Sequence, residues 1–590
     1  MKTLTLIATA ATAIAVATPA LAEAHLDTLG LNVTFVGDRE VLMRDAHKEM
    51  HWPEPAVIGL QKPEFTYSVL PKRIDVQPTW EREKAKRLKV EDPLQRLYKG
   101  FVEAGMGNYT SPMLLVNYAD LRARERAWGV EFAHQSTRGG FLYDDDALGQ
   151  GVPQHFSSNA LEGWYKRFFK KEYVKVSGIY DRQAISYYGR VDGLNEPDSS
   201  HFSLGDSGRF STFHLRAEFG DMESAKRTWN HRVVFDYGTL WNDRNTNEHN
   251  FDIHGQLKGH IEGNPVALVA HANIDRLDRA EEGLIVPTMK QAIFDLHPAV
   301  YKDHKALKTK VGFGMWVDAQ GNQPFLFVPE LEASVSLLQN LFIPYVSVNG
   351  GVNQNRFETT LQSNPFLPSP SDSIPKTIWK NSYETLHATG GMRGSITSAF
   401  TFDLSASHRR VNQALTWAPM DVYGSGAGFQ PIYQDLSITT LQANANLELG
   451  ASTSLQGQIQ QHTYAVRDSA LSEQTPWNLP GIEINVRARH NFKDKLIVQT
   501  GVRTVAGRRG LQAVPVESAG ENFIMNGTEN IGYAYDLTDI VDWNIRVEYR
   551  YNARLGAWLS GENLLNRSNP LLFGYNSQGT RVTFGFNYAF

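Results

Sequence analysis

The chain has 590 residues, 11% of them aromatic, with 48 glycines, no cysteine, and 58 basic against 63 acidic side chains. The missing cysteines exclude a disulfide scaffold and thiol chemistry, and the near-balance of charge argues against a basic face for nucleic acid. A mean hydropathy of −0.36 and the lack of any apolar run of about 18 residues exclude spanning helices, but not a membrane barrel, whose strands alternate lipid-facing and lumen-facing side chains and so average out polar.

The chain starts with one charge at Lys2, an apolar run over residues 4–18 and then Pro19-Ala20-Leu21-Ala22 ahead of Glu23. This is the pattern of a secretory signal peptide with an A-x-A cleavage site, so residues 1–22 are read as an export leader. Residues 23–96 differ in character: Trp52-Pro53-Glu54-Pro55, Pro63, Pro71 and Pro78 precede the charged run Glu81-Arg82-Glu83-Lys84-Ala85-Lys86-Arg87. Proline at this density favours extended chain over a packed domain, so the segment is expected to be a periplasmic linker or partner-binding strap.

From Leu97 to Phe590 the pattern turns to period two. Across residues 541–552, Val541, Trp543, Ile545, Val547, Tyr549 and Tyr551 alternate with Asp542, Asn544, Arg546, Glu548, Arg550 and Asn552. Side chains of a strand point alternately to opposite faces, so one face is apolar and the other polar. Residues 253–262 divide in the same way, with His254, Gln256, Lys258, His260 and Glu262 on the polar side. Residues 482–489 place Glu483, Asn485, Arg487 and Arg489 there, and residues 441–449 place Gln442, Asn444, Asn446 and Glu448 there. A soluble sandwich also alternates. Its strands, however, run to about 5 to 6 residues where these need about 10 to 12, and it seldom lines strand after strand with full charges of both signs.

Long and short returns alternate as well. Residues 137–163, 190–205, 359–383, 467–480 and 507–532 are read as long connections, whereas Lys170-Lys171-Glu172, Gly263-Asn264-Pro265, Gln339-Asn340, Gly450 and Asn491-Phe492-Lys493-Asp494 are short. Membrane barrels have long outer loops and short periplasmic turns, so the expected fold is all-β: a transmembrane, antiparallel, up-and-down barrel of about 22 strands over residues 97–590. The weakest alternation lies at residues 284–296. The polar residues His254, Lys258, His260, Glu262, Glu483, Arg487, Arg489, Asp542, Arg546, Glu548 and Arg550 are expected to line the lumen, and outer-membrane lipid to cover the opposite face.

The last strand puts Val582, Phe584, Phe586, Tyr588 and Phe590 on one face. A terminal aromatic preceded by apolar residues at every second position looks like the signal read by the barrel assembly machinery, here Phe584, Phe586, Tyr588 and Phe590. Gly561-Glu562-Asn563-Leu564-Leu565-Asn566-Arg567, followed by Gly574-Tyr575-Asn576-Ser577-Gln578-Gly579-Thr580-Arg581, is similar to the C-terminal end of TonB-dependent receptor barrels. Gly105-Met106-Gly107-Asn108-Tyr109-Thr110-Ser111-Pro112, Gly178-Ile179-Tyr180-Asp181-Arg182 and Asn364-Pro365-Phe366 resemble a plug-less subgroup of that family. The resemblance implies 22 strands. The family's usual N-terminal plug is a folded domain, whereas residues 23–96 are too short and too proline-rich for one, so no plug is expected.

Residues 27–35 faintly resemble a TonB box, an extended strand that pairs with a periplasmic partner. Asp144-Asp145-Asp146 is read as a solvated acidic tip rather than a Ca²⁺ site. His254 and His260, about 20 Å apart along a strand, are too far apart to share one ion, and no Ser/His/Asp spacing singles out a triad. Neither catalytic activity, cofactor nor metal is expected. Two function classes stay open: a solute conduit across the outer membrane, or a membrane-anchored interaction protein that docks a periplasmic partner, TonB-like or other, through residues 23–96.

Overall fold

Period-two alternation gives each strand two unlike faces, and hydrogen bonding of every strand to its neighbour then builds a sheet with an apolar and a polar side. The computed structural model describes residues 98–590 except 122, 140–153, 189–206, 223–227, 244, 280–287, 305, 322, 339, 368–378, 420–428, 470–474, 513–523, 527–528 and 573. The expected leader (1–22), the strap (23–96) with its TonB-box-like stretch, and Asp144 to Asp146 lie outside the described residues.

The first half runs β1 (Gly100–Gly107), β2 (Ser111–Asp120), β3 (Arg126–Gly139), β4 (Gln154–Phe168), β5 (Glu172–Ser186), β6 (Ser207–Asp221), β7 (Trp229–Asn242), β8 (Thr246–Ile261), β9 (Asn264–Arg279), β10 (Met289–His304) and β11 (Leu307–Asp318). It continues with β12 (Phe325–Val335) and β13 (Ile343–Asn353), a short helix α1 (Phe357–Ser363), then β14 (Ser382–Thr397), β15 (Phe400–Pro419), β16 (Phe429–Leu449), β17 (Thr453–Ser469), β18 (Ile482–Phe492) and β19 (Leu496–Ala506). Then come β20 (Arg509–Gln512), β21 (Ile524–Asn526), β22 (Glu529–Asp536), β23 (Ile540–Arg550), β24 (Leu555–Glu562), β25 (Pro570–Leu572), β26 (Tyr575–Asn576) and β27 (Arg581–Ala589).

Twenty-two of these strands form one sheet, and β20–β22 and β25–β26 form small ladders of their own within connections. Each sheet strand is antiparallel to the next in sequence, β19 passing to β23 and β24 to β27. The sheet closes where β27 pairs with β1, Gly105 opposite Gly585. The expected all-β barrel of about 22 strands is what forms. On β12, Phe325 and Phe327 are 56% and 54% exposed while Leu326 and Val328 are 5% and 1% exposed, so the apolar outer face is bare for lipid while the inner face is packed.

Short returns such as 169–171, 262–263, 398–399 and 493–495 gather at one end, and the long ones 187–206, 354–381, 507–539 and 563–580 at the other. Two details differ from expectation. The strands flanking the first long connection extend to Gly139 and Gln154, pairing Ser136 with Ser157 and Arg138 with His155; their outward residues turn polar there, which hides the strand from a pattern search. Glu262 is not part of the polar wall. It forms with Gly263 the two-residue turn between β8 and β9, at φ +48° and +81°, the left-handed pair that a type I′ hairpin demands.

The closing seam is built from small residues. On its inner side Trp558 of β24 lies across Gly585 of β27 and Gly105 of β1, and a Cβ at Gly105 would sit 2.8 Å from the indole. Arg546 of β23 stacks 4.3 Å above that indole and reaches Glu103 of β1 at 2.8 Å, spanning the joint. Phe590 exchanges two backbone hydrogen bonds with Gly100, each 2.8 Å. Gly585→Leu is expected to displace Trp558 and lower unfolding stability by about 1–3 kcal/mol through overpacking. Gly163→Leu, where a Cβ meets nothing within 4 Å, should be neutral; unfolding of both variants in denaturant, followed by the loss of fast migration on unheated gels, checks this.

Candidate functional site

The connection between β13 and β14 turns inward against the wall, starting from a strong local stop-and-start signal. The Arg356 backbone N–H donates to Thr359 Oγ1 at 2.9 Å, and Thr360 Oγ1 donates back to the Arg356 carbonyl at 2.7 Å, framing α1. Asn364 and Pro365 end it: residues before proline avoid helical backbone, and Asn364 Oδ1 instead accepts the Phe366 N–H at 3.0 Å. The N-terminus of α1 rests on Glu248 of β8, whose two carboxylate oxygens accept the N–H groups of Phe357 and Glu358 at 3.1 and 2.7 Å. An acidic side chain there satisfies donors that the first turn of a helix leaves without partners. Seven residues make a marginal helix in water, so this anchoring and the burial of Phe357 and Leu361 among Phe210, Leu240 and Leu277 hold it.

Beside that contact, His214 of β6 joins Asp236 of β7 at 3.1 Å to Glu358 of α1 at 2.7 Å. Arg356 lies 3.5 Å from Glu358 and 3.9 Å from Asp275. Burial alone would raise the Glu358 carboxyl, yet the hydrogen bond and charge of His214, with Arg356 nearby, hold it below its ordinary value. A depressed carboxyl contributes stability above its unfolded pKa, so this contact is intact at neutral pH and is lost as pH falls through the folded value.

Beyond α1 the segment meets two other connections. Phe366 stacks on Tyr575 with ring centroids 3.7 Å apart, and Tyr188 packs edge-on against both, at 5.6 and 4.8 Å. Phe429 at the start of β16 lies 5.7 Å from Tyr575. Tyr187 OH donates to the Leu367 carbonyl at 3.0 Å and Tyr188 OH to the Asn576 carbonyl at 3.1 Å. Arg508 pins the β25–β26 ladder by donating to the Pro570 and Leu571 carbonyls at 2.6 and 3.0 Å. The three connections follow β5, β13 and β24, rooted about a third of the ring apart. They can touch only by reaching over the lumen, and at their meeting point Tyr575 is fully buried. Each aromatic pair is worth about 0.5–1.5 kcal/mol beyond its buried area.

Below the cluster a carboxylate–imidazole ladder crosses the inner wall. His271 of β9 donates to Asp252 of β8 and Asp295 of β10 at 2.5 and 2.7 Å; His297 joins Asp295 at 3.0 Å and Glu330 of β12; Lys310 of β11 closes the row on Glu330 at 3.0 Å.

The residues expected on the polar wall are scattered around the ring. His254 lies 6.3 Å from His271, ring to ring, without joining its ion pairs. Lys258 and His260 line a recess of about 260 Å³ with Asn230 and Tyr301. Glu483 faces His462 at 3.6 Å, Arg550 pairs with Glu548 at 2.9 Å, and Arg546 serves the seam. Asp542 stands opposite Arg503, and Arg487 and Arg489 share an exposed side of β18. Phe584, Phe586, Tyr588 and Phe590 all project from the outer face.

Sequence patterning does not single out Glu248, Asp275, His214 or the helix itself. The local signal for α1 is present in Thr359, Thr360, Asn364 and Pro365, but seven residues carry too little periodicity to declare a helix. The family-like motifs prove to be joints. Asn563 Nδ2 donates to the Arg567 and Gln578 carbonyls at 2.7 and 2.8 Å, and Asn108 both donates to the Thr580 carbonyl and accepts from Val582 N–H, each at 2.9 Å.

A closed ring of antiparallel strands, apolar outside, charged inside and with its long connections at one end, defines an outer-membrane β-barrel. No protein-family model and no curated protein matches the chain. Among solved structures it is similar to the ferripyoverdine receptor of the outer membrane of Pseudomonas aeruginosa bound to ferripyoverdine (11% identity, 84% of this chain and 72% of that one, TM-score 0.60). It is likewise similar to the siderophore receptor PirA from Acinetobacter baumannii (11%, 83% and 80%, 0.60) and to the ferric-catecholate import receptor Fiu from E. coli K12 (9%, 84% and 82%, 0.56). These neighbours are TonB-dependent siderophore receptors, and at such identities the likeness is one of fold.

Glu248→Ala removes the two hydrogen bonds at the root of α1. With about 0.5–1.5 kcal/mol at stake for each, amide exchange at Phe357 and Glu358 is expected to accelerate by roughly 5- to 100-fold while exchange in β8 is unchanged. Hydrogen-exchange mass spectrometry measures it.

Proposed function

We propose that this protein is a solute conduit across the bacterial outer membrane whose mouth is closed by its own connections rather than by a separate plug. The observation that carries this reading is the meeting of Phe366, Tyr188 and Tyr575 from three sides of the ring over a charge-lined lumen. A barrel of this strand number is wide enough to need an internal obstruction, and the segment around α1 supplies one. The same segment is fit to move: Gln354 Nε2 and Asn364 Nδ2 are buried without a hydrogen-bond partner among the described residues. Unpaired buried donors cost about 1–3 kcal/mol each, which lowers the cost of withdrawing the segment into water. The likeness to siderophore receptors supports import of a solute; the lumen's mixture of carboxylate, imidazole and guanidinium groups suits a polar one.

Single-channel recording of the purified barrel tests the proposal. Removal of residues 355–367 is expected to raise conductance several-fold with the barrel still folded. Because the chain has no cysteine, Phe366→Cys with Tyr575→Cys gives a clean pair. Joining them with a short bis-methanethiosulfonate linker, which forms a reductant-cleavable disulfide to each thiol as sulfinate leaves, should abolish openings and reduction restore them. Conductance that ignores both manipulations overturns the reading.

We also propose that Phe584, Phe586, Tyr588 and Phe590 form the segment read by the barrel assembly machinery. Phe586→Ser with Phe590→Ser is expected to lower the folded amount in the outer membrane and leave chain to periplasmic proteases; an unchanged folded yield refutes it.

A further inference from the structure

We infer that the outer face at the short-return end carries a binding site for the phosphate of an anionic phospholipid headgroup, formed by Arg126 and Arg167. The two arginines stand directly opposite one another in the register of β3 and β4. Both are exposed. Their face is the lipid-facing one, because the pairs that follow along the same side are Trp128 opposite Tyr165, Val130 opposite Gly163 and Phe132 opposite Leu161. The arginines are therefore the last outward pair before the short return. The tryptophan and tyrosine lie one pleat, about 7 Å, deeper, the level of an interfacial aromatic belt.

Like charges directly opposite on neighbouring strands repel. Among the described residues neither guanidinium has a carboxylate within ion-pair distance. Of the outward acids on the neighbouring strand ends, Asp120 at the end of β2 is taken by Lys99 at 3.2 Å, and Glu172 opens β5 opposite Asp221. Glu125 and Glu172 flank the site, and their backbone carbonyls accept the Phe168 and Phe169 N–H groups at 2.9 and 2.8 Å. The guanidinium of Arg167 rests 5.6 Å from the Phe169 ring, which orients its plane. Arg124, Lys170 and Lys171, all exposed, add positive charge around it.

Two guanidinium forks at headgroup depth match a phosphate, which accepts from arginine in bidentate fashion. Among the described residues, five cations against two acids favour a headgroup with net negative charge over a zwitterionic one. The short returns mark the periplasmic side of such barrels, the leaflet in which the headgroup of a glycerophospholipid stands at this depth, and that fixes the source.

The test uses the full-length protein extracted in mild detergent and examined by native mass spectrometry. Wild type is expected to retain one phosphatidylglycerol-sized adduct, and Arg126→Gln with Arg167→Gln to lose it by about ten-fold, while Lys302→Gln, a charge removed from the outer face of β10, keeps it. Arg126→Lys with Arg167→Lys retains the charge without the fork and should bind at an intermediate level, which keeps the question open to measurement should the glutamine pair fold poorly. In vesicles, wild type should unfold at higher temperature with phosphatidylglycerol than with phosphatidylethanolamine alone, and the glutamine pair should lose that difference. An adduct that survives in the double variant, an adduct with the mass of lipopolysaccharide, or displacement of the lipid by millimolar inorganic phosphate would overturn the proposal.

Discussion

No water is available at bilayer depth to take up an unpaired N–H or carbonyl, so a sheet that crosses a membrane must have no edge. Every other feature of this protein is arranged around that constraint. The ladder is continuous from strand to strand and returns upon itself where β27 meets β1, and the side chains at that joint give up bulk to let it form. Gly105 and Gly585 yield their places to a single indole, and the Arg546–Glu103 pair ties together the strands on either side of the last two. The charge pair sits on the lumen side, where Glu103 is buried against the guanidinium of Arg546, and the aromatic residues of β27 sit on the lipid side.

Closure creates the second problem, a hole. A ring of this many strands cannot be filled by wall side chains alone, and in the proposed conduit the connections meet that need. The wall beneath them is stiffened by electrostatics: the ladder from Asp252 through His271, Asp295 and His297 to Glu330 locks neighbouring strands by side chains as well as by backbone. Charges held two at a time by opposite partners are poorly free to trap a passing ion, so the ladder is better understood as reinforcement than as a binding site. The seated segment borrows the same device, with His214 shared between wall and helix.

What can be read from the sequence follows from the range over which each signal acts. Alternation is a property of adjacent residues, so residues 541–552 declare both faces of β23 unaided, and the spacing of such runs yields the alternation of long and short connections. Glu262 is misplaced by the pattern because a turn residue at positive φ continues the same polar–apolar count as the strand before it. The inward fold of residues 354–367 is hidden for a different reason: what holds it, Glu248, His214, Tyr188 and Tyr575, is distant in sequence and converges only after the ring has closed. The motif Asn364-Pro365-Phe366 stands out in sequence only as a resemblance; its physical meaning, a helix stop that delivers an aromatic ring to the centre of the mouth, needs the geometry.

Tyr575 touches partners from each of the other connections at once, Tyr188 on one side and Phe366 and Phe429 on the others. It stands to them as a keystone to an arch. No one span can lift away without stripping the ring from its remaining neighbours, and the departure of one aromatic loosens the hold on the next. The rings are therefore held cooperatively, as one body rather than as separate pairs, each contact depending on the others being in place.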